Sequence, residues 1–174
     1  MENENRVIET ARLYLRRMTA EDYPALCRVL QDDRAMYAYE GAFPDDEVQK
    51  WLARQLARYR QWGFGLWAVV LKETGAVIGQ CGVTMQPWRG AEVLEIGYLF
   101  ERVYWHGGYA TEAATACRQY AFEVLDAPEV CAIIRDTNTA SQRVAKRCGM
   151  VAADTAVKHY RGVDMPHTRY VVAR

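Results

Sequence analysis

Gly107 and Gly108 are the residues of this chain best suited to hold an anion. They lie in the run YWHGGYATEA, Tyr104 to Ala113. Without a Cβ, they let a ligand come up to the backbone. A turn that feeds a helix aims successive N–H groups at one spot, where the helix dipole adds partial positive charge. A pyrophosphate suits such a spot. Other residue types that do chemistry are scattered. His106, His159 and His167 lack metal-ligand spacing, and the five cysteines (27, 81, 117, 131, 148) contain no C-x-x-C pair. Neither a metal nor a disulfide framework is expected, and this cysteine usage fits a reducing, cytoplasmic setting.

The turn requires a strand before it and a helix after it. The apolar run VLEIGYLF, Val93 to Phe100, supplies the strand. From Ala110, small or apolar residues recur at Ala113, Ala114, Cys117, Tyr120, Ala121, Val124 and Leu125, a helical period. Upstream, TARLYLRR (Thr10 to Arg17) alternates like a strand. Thr19 with Asp22 reads as a capping box before a helix, Ala20 to Leu30, whose start Pro24 makes irregular. Asp32 to Phe43 reads as a loop or broken helix, and Asp45 and Asp46 open a second helix with Val48, Trp51, Leu52, Leu56 and Tyr59 on its apolar face.

Gly65 to Lys72 and Ala76 to Gln86 read as a hairpin, with Pro87 to Gly90 turning into VLEIGYLF. Downstream follow a strand, Val130 to Arg135, a short helix, Thr139 to Cys148, stopped by Gly149, and strands Val151 to Tyr160 and Thr168 to Ala173. The order implies an α/β fold with a mixed sheet of about seven strands and helices on both faces. One pattern misleads: Gly63-Phe64-Gly65-Leu66-Trp67-Ala68 matches G-x-G-x-x-[GA], but a helix precedes it and a β-type run follows. A dinucleotide site needs the reverse.

Length and charge narrow the function. A chain of 174 residues reads as one domain, 1–174, with 1–9 a flexible N-terminus. Lys plus Arg equals Asp plus Glu at 22 each, so no nucleic-acid surface is expected. No apolar run approaches a membrane span, and the polar, acidic Met1 to Thr10 is not a signal peptide.

A second informative run is Asn138 to Met150, NTASQRVAKRCGM. Asn138 is a good N-cap, able to take the Ser141 N–H. Taken with VLEIGYLF and YWHGGYATEAA, in this order and spacing, it resembles the GNAT superfamily of acetyl-CoA-dependent N-acetyltransferases. The likeness runs from Thr10 to the C-terminus and is narrowest to the RimJ/RimL-like branch of ribosomal-protein N-terminal acetyltransferases.

The resemblance implies roles for residues. The pyrophosphate of coenzyme A would sit on the backbone of Trp105, His106, Gly107, Gly108, Tyr109 and Ala110, with Thr111 adding a hydroxyl. Trp105 stands at the Q/R place of the fingerprint Q/R-x-x-G-x-G/A, a change of little weight where the backbone binds; His106 is a loop residue rather than a catalyst. A bulge would splay two strands, and the pantetheine arm would pair with the edge Tyr98, Leu99, Phe100. Asn138 and Ser141 would lie beside the co-substrate, with Arg147 near its phosphates.

Acyl transfer from a thioester to an amine needs a base, an oxyanion donor and an acid for the leaving thiolate. Glu95, on the strand face of Gly97 and Leu99, is the candidate base or acceptor ligand. An N–H near Leu99 or Phe100 is the candidate donor. The acid is expected at Ser141, because Ala145 stands where many family members carry a tyrosine. Tyr37, Tyr39 and Phe43 fall in the region that shapes the acceptor pocket. The acceptor is left open between a protein N-terminal amine and a small-molecule amine, and the assembly between monomer and homodimer. Two rivals remain: a GNAT-shaped acetyl-CoA-binding regulatory module without turnover, and a protein using the turn for another phosphate ligand.

Overall fold

The computed structural model describes residues 5–174, and its frame is one eight-stranded sheet. The strands are β1 (Arg6–Glu9), β2 (Leu13–Arg16), β3 (Leu66–Leu71), β4 (Val77–Trp88), β5 (Ala91–Phe100), β6 (Glu129–Arg135), β7 (Val151–Tyr160) and β8 (Val163–Ala173). Their order across the sheet is β1-β2-β3-β4-β5-β6-β8-β7. Every neighbouring pair is antiparallel except β5 and β6. The crossover between those two is helix α3 (Tyr109–Glu123), as parallel neighbours require. Helices α1 (Tyr23–Leu30) and α2 (Asp45–Trp62) contact each other, as do α3 and α4 (Thr139–Arg147). Glu95 and Tyr98 leave β5 on opposite faces. The former looks toward α2 and the latter reaches α4, so the two helix pairs cover opposite sides.

Local sequence explains most boundaries. Thr19 and Asp22 form the expected capping box, but on a short 3₁₀ turn, Ala20–Asp22; α1 starts behind it with Pro24 in its first turn. Gly63, at φ 81°, ends α2, and Leu66 opens β3, so the G-x-G-x-x-[GA] pattern sits between helix and strand. β3 is buried along its whole length, with Trp67 fully enclosed and edge-to-face with Tyr120 of α3 at 5.1 Å.

Four expectations are corrected. Pro87 is no turn residue: it pairs with Glu92 inside the β4–β5 ladder, and Arg89 and Gly90, both at positive φ, make the two-residue turn. Arg6–Glu9 is not a loose terminus but strand β1, paired with β2, which raises the strand count to eight; residues 1–4 of that expected flexible stretch lie outside the described residues. Val124 falls beyond the end of α3 and is 62% exposed. The expected bulge in β5 is absent, since ten residues from Ala91 to Phe100 pair with β4 without a shift. No described helix is long and apolar enough to cross a membrane.

The sheet parts instead between β5 and β6, whose register contains one pair, Glu95 with Cys131. The Ile133 N–H, which would continue the ladder, donates to Glu95 Oε2 at 3.0 Å. A side chain thus takes the place of a rung. Beyond it the two strands run on without pairing.

Candidate active site

The turn after β5 presents its backbone as the sequence implies. A 3₁₀ turn, Arg102–Tyr104, leads to His106 at φ 65° and Gly108 at φ 79°. Gly108 is the N-cap of α3 and makes no side-chain cap. The first hydrogen bond of the helix is Glu112 N–H to the Gly108 carbonyl, 3.1 Å. Among the described residues, no N–H from His106 to Thr111 has a protein partner. Six consecutive donors therefore surround the positive end of a helix of 15 residues. A positive φ at Gly108 is strained for any residue with a Cβ.

Arg12 braces this turn, a part the sequence did not single out. Its Nη1 donates to the Gly107 carbonyl at 2.9 Å, its Nε to Glu112 at 2.7 Å, and its guanidinium lies 4.3 Å from the Tyr109 ring centre. Glu112 also accepts from Thr10 Oγ1, 2.7 Å, and the Arg12 N–H, 2.9 Å. Burial works against the Glu112 carboxylate, but these bonds hold its pKa below the ordinary value. Its negative charge is thus tied to Arg12 rather than left facing the free N–H groups.

From the turn, the unpaired edge of β5 leads back to a cavity. The Glu101 N–H donates to Ile78 on β4, so alternation sends the polar groups of Leu99 and Gly97 to β4 as well. The groups of Ile96, Tyr98 and Phe100 face the gap. This corrects one expectation: the Leu99 N–H is spent on the ladder, leaving the N–H groups of Tyr98 and Phe100 as donors. The Phe100 carbonyl is taken too, by the Trp105 indole N–H at 2.9 Å. That bond folds the start of the turn against the strand end.

The cavity has a volume of about 360 Å³ and lies where β5 and β6 diverge. Glu95 sits in its wall with Gly97, Tyr98, Leu99, Asn138 and Ser141. Burial pushes the Glu95 carboxyl up to about 7, against the pull of the Lys158 charge, the Ile133 N–H and Arg58. A carboxyl held there exchanges protons readily near neutral pH. Asn138 Oδ1 accepts the Ser141 N–H at 3.2 Å, the cap read from sequence, and also the Tyr37 hydroxyl at 2.5 Å. The Ser141 hydroxyl makes no hydrogen bond among the described residues, though its side chain borders the cavity.

Two tyrosines take unexpected places. The Tyr98 phenol donates to the Ser141 carbonyl at 2.8 Å. It thus comes from β5 to the helix turn between Ser141 and Ala145. Ala145 itself is 1% exposed in the core. Tyr37 does not line the cavity; its hydroxyl bonds Asn138 and its carbonyl lies 3.4 Å from Arg135 Nη1, so it fastens a loop. Tyr39 does line the cavity, edge-to-face with Phe43, Trp51 and Tyr160 at 5.9, 6.0 and 6.4 Å. Phe43 is buried packing.

Arg147 is exposed on the last turn of α4, away from the cavity wall. Arg54, Arg58 and Lys158, absent from the sequence reading, are in that wall. Their one sequence signal is the i, i+4 spacing of the two arginines on α2, which any solvated helix face also carries.

Known proteins share this sequence pattern and fold. Residues 12–151 match the family model described as the acetyltransferase (GNAT) domain. The Bacillus subtilis protein YkkB is 35% identical over 150 residues, covering 86% of this chain and 87% of YkkB. An acetyltransferase structure from Agrobacterium tumefaciens superposes with a TM-score of 0.81 at 28% identity, over 97% of this chain and 94% of that one. RimL, described as a ribosomal L7/L12 α-N-protein acetyltransferase in complex with coenzyme A, superposes with a TM-score of 0.77 at 16% identity, over 97% of each chain. The free N–H groups at the head of α3, the parted β5 and β6, and the match over most of the length lead to one conclusion: this chain belongs to the GNAT family of acetyltransferases.

Proposed function

We propose that this protein is a single-domain, cytoplasmic, acetyl-CoA-dependent N-acetyltransferase of the RimJ/RimL-like branch, and that it transfers acetyl directly to a primary amine without a metal. The observation that carries the reading is the continuous path from the unpartnered N–H groups of His106 to Thr111, along the open edge of β5, to Glu95. From Phe100 back to Glu95 that edge spans about 16 Å at roughly 3.3 Å per residue, room for an extended arm. The fold likeness to RimL supports coenzyme A as the moiety on this path.

In this reading the pyrophosphate of acetyl-CoA binds the turn and the arm pairs with the Tyr98 and Phe100 backbone. The thioester then lies beside Ser141. Glu95 takes a proton from the acceptor ammonium, directly or through a water. The freed nitrogen attacks the thioester carbon, and an N–H of Tyr98 or Phe100 holds the oxyanion. The C–S bond breaks, the thiolate takes a proton from the Ser141 hydroxyl, and the proton that the acylated nitrogen still has to lose returns to the Ser141 oxygen, so that serine and amide both end neutral. The buried cysteines play no part: burial pushes the thiols of Cys81, Cys131 and Cys148 up, away from nucleophilic character.

A second reading, an acetyl-CoA-binding regulatory module without turnover, draws on Ala145 in place of a tyrosine. Release of free thiol from acetyl-CoA, measured against amino acids, polyamines, aminoglycosides and an N-terminal peptide library, separates the two. Amine-dependent release is expected. Tight acetyl-CoA binding with no release for any amine would establish the regulatory module instead.

A further inference from the structure

The acceptor end of the cavity is strongly unbalanced in charge. Arg54 and Arg58 of α2 and Lys158 of β7 line it, and Glu95 is the one carboxylate among its lining residues. Arg135 also lines it but is paired with Glu40 at 2.6 Å. Among the described residues, none of Arg54, Arg58 and Lys158 has a salt-bridge partner. Arg58 and Lys158 are half-buried and Arg54 is exposed beside them; three cations gathered against a single carboxylate disfavour the empty site and favour an anion in it.

Two other uses of these cations fit poorly. They do not serve the phosphates of the co-substrate, because none of the turn residues Trp105 to Thr111 borders the cavity. They do not simply neutralise Glu95 either: its Oε2 is occupied by the Ile133 N–H, and three positive charges face one carboxylate. Arg58 is positioned rather than loose. Its Nη1 donates to the buried Gln55 Oε1 at 3.2 Å, leaving its other nitrogens for a ligand. Burial first, and then the neighbouring Arg54 charge, pull the Arg58 pKa down against the opposing pull of Glu95.

We infer that the acceptor is an amine that also carries an anionic group, a carboxylate or phosphate, near its reactive nitrogen; the inference rests on the acetyltransferase reading above. The ammonium meets Glu95, and the anion meets the guanidinium forks of α2 or the Lys158 ammonium. Free amino acids and acidic peptide N-termini both have this chemistry. Polyamines and aminoglycosides bring positive charge to a positive wall and are repelled.

Matched substrates test this on the unmodified protein. Initial rates are compared for an amino acid and its own carboxamide, for peptides beginning Ser-Asp and Ser-Asn, and for spermidine. In at least one pair the anionic member is expected to lead by about tenfold or more in kcat/KM, a lead that shrinks as salt rises. The leading pair tells free amino acid from peptide. Arg58→Gln and Lys158→Gln should each erase most of that lead by raising the acceptor KM, with the acetyl-CoA Kd unchanged. If neither anionic member leads its neutral partner, or if spermidine equals or exceeds both anionic substrates, the inference fails while the acetyltransferase reading stands. If no amine elicits thiol release, both fail. An acetyl-CoA Kd that moves with Arg58→Gln would return the cations to the co-substrate and also overturn the inference.

Discussion

The two ends of the site are built from different material. At the turn, the proposed pyrophosphate site is backbone: six N–H groups from His106 to Thr111 without protein partners among the described residues, aimed by two residues at positive φ and by the head of α3. At the cavity, the chemistry comes from side chains delivered by α2, β5, α4 and β7, which meet only in the folded chain. A backbone site tolerates exchange of most side chains, as Trp105 in the Q/R place illustrates, but not occupation of its space. A side-chain site responds to single atoms. The same contrast gives a fixed co-substrate beside a variable acceptor.

Breaking the backbone end should have the largest effect. Gly108→Glu forces a Cβ onto a residue at φ 79°, only 3.4 Å from an Arg12 Nη, and puts a carboxylate where the phosphates approach. Like charges about 4 Å apart cost roughly 4 kcal/mol at an effective dielectric of about 20, so acetyl-CoA affinity should fall roughly a thousandfold. Calorimetry on the folded variant reads this directly. Unchanged affinity would move the co-substrate elsewhere.

Removing one hydroxyl from the side-chain end should have an intermediate effect. Ser141→Ala keeps the Asn138 cap and the Tyr98 bond, both of which use the Ser141 backbone. Losing one hydrogen bond to the departing sulfur should lower kcat by about ten- to a hundredfold, or roughly 1–3 kcal/mol. Thermal stability should hardly change. A wild-type kcat would hand the proton to solvent or to the Tyr98 phenol, which Tyr98→Phe in the same background would separate.

The smallest effect should come from a side chain that braces the backbone site. Arg12→Ala frees Glu112 beside the helix N-terminus. The pair is partly exposed and screened, so acetyl-CoA affinity should weaken by no more than about fivefold, within the ~1 kcal/mol of such pairs. Glu112→Ala added to Arg12→Ala should restore it. A double variant weaker than Arg12→Ala alone would mean that Glu112 supports the turn rather than threatening it.

The contrast also explains what could be read before the chain was seen folded. Gly107 and Gly108 announce the turn because backbone geometry is local, and the Asn138 cap was legible for the same reason. The Thr19–Asp22 box and the stop at Gly63 were equally near-neighbour features. What needed strand pairing was lost. Leu99 looked as eligible a donor as Phe100 until β4 claimed the odd-numbered residues of β5. The parting of β5 and β6 was expected from a bulge, but it comes from the Glu95 side chain taking a rung on a strand more than thirty residues away. Pro87 promised a turn, yet Arg89 and Gly90 make it, because β4 carries the proline to its end. Arg58 and Lys158 look like ordinary surface charges until α2 and β7 bring them around Glu95.

The role of Glu95 is tested most directly by the pH dependence of kcat in the wild type and in Glu95→Gln, at saturating acetyl-CoA and acceptor. Burial raises this carboxyl to about 7, and a general base acts only when ionised, so wild-type kcat should climb with pH through that value and then level. In Glu95→Gln the climb should vanish and kcat at the plateau should drop by about a hundredfold or more, within the range of positioned bases. Acetyl-CoA affinity should hold. An acidic limb that survives in Glu95→Gln with kcat near wild type, or a raised acceptor KM alone, would contradict the assignment of Glu95 as the base.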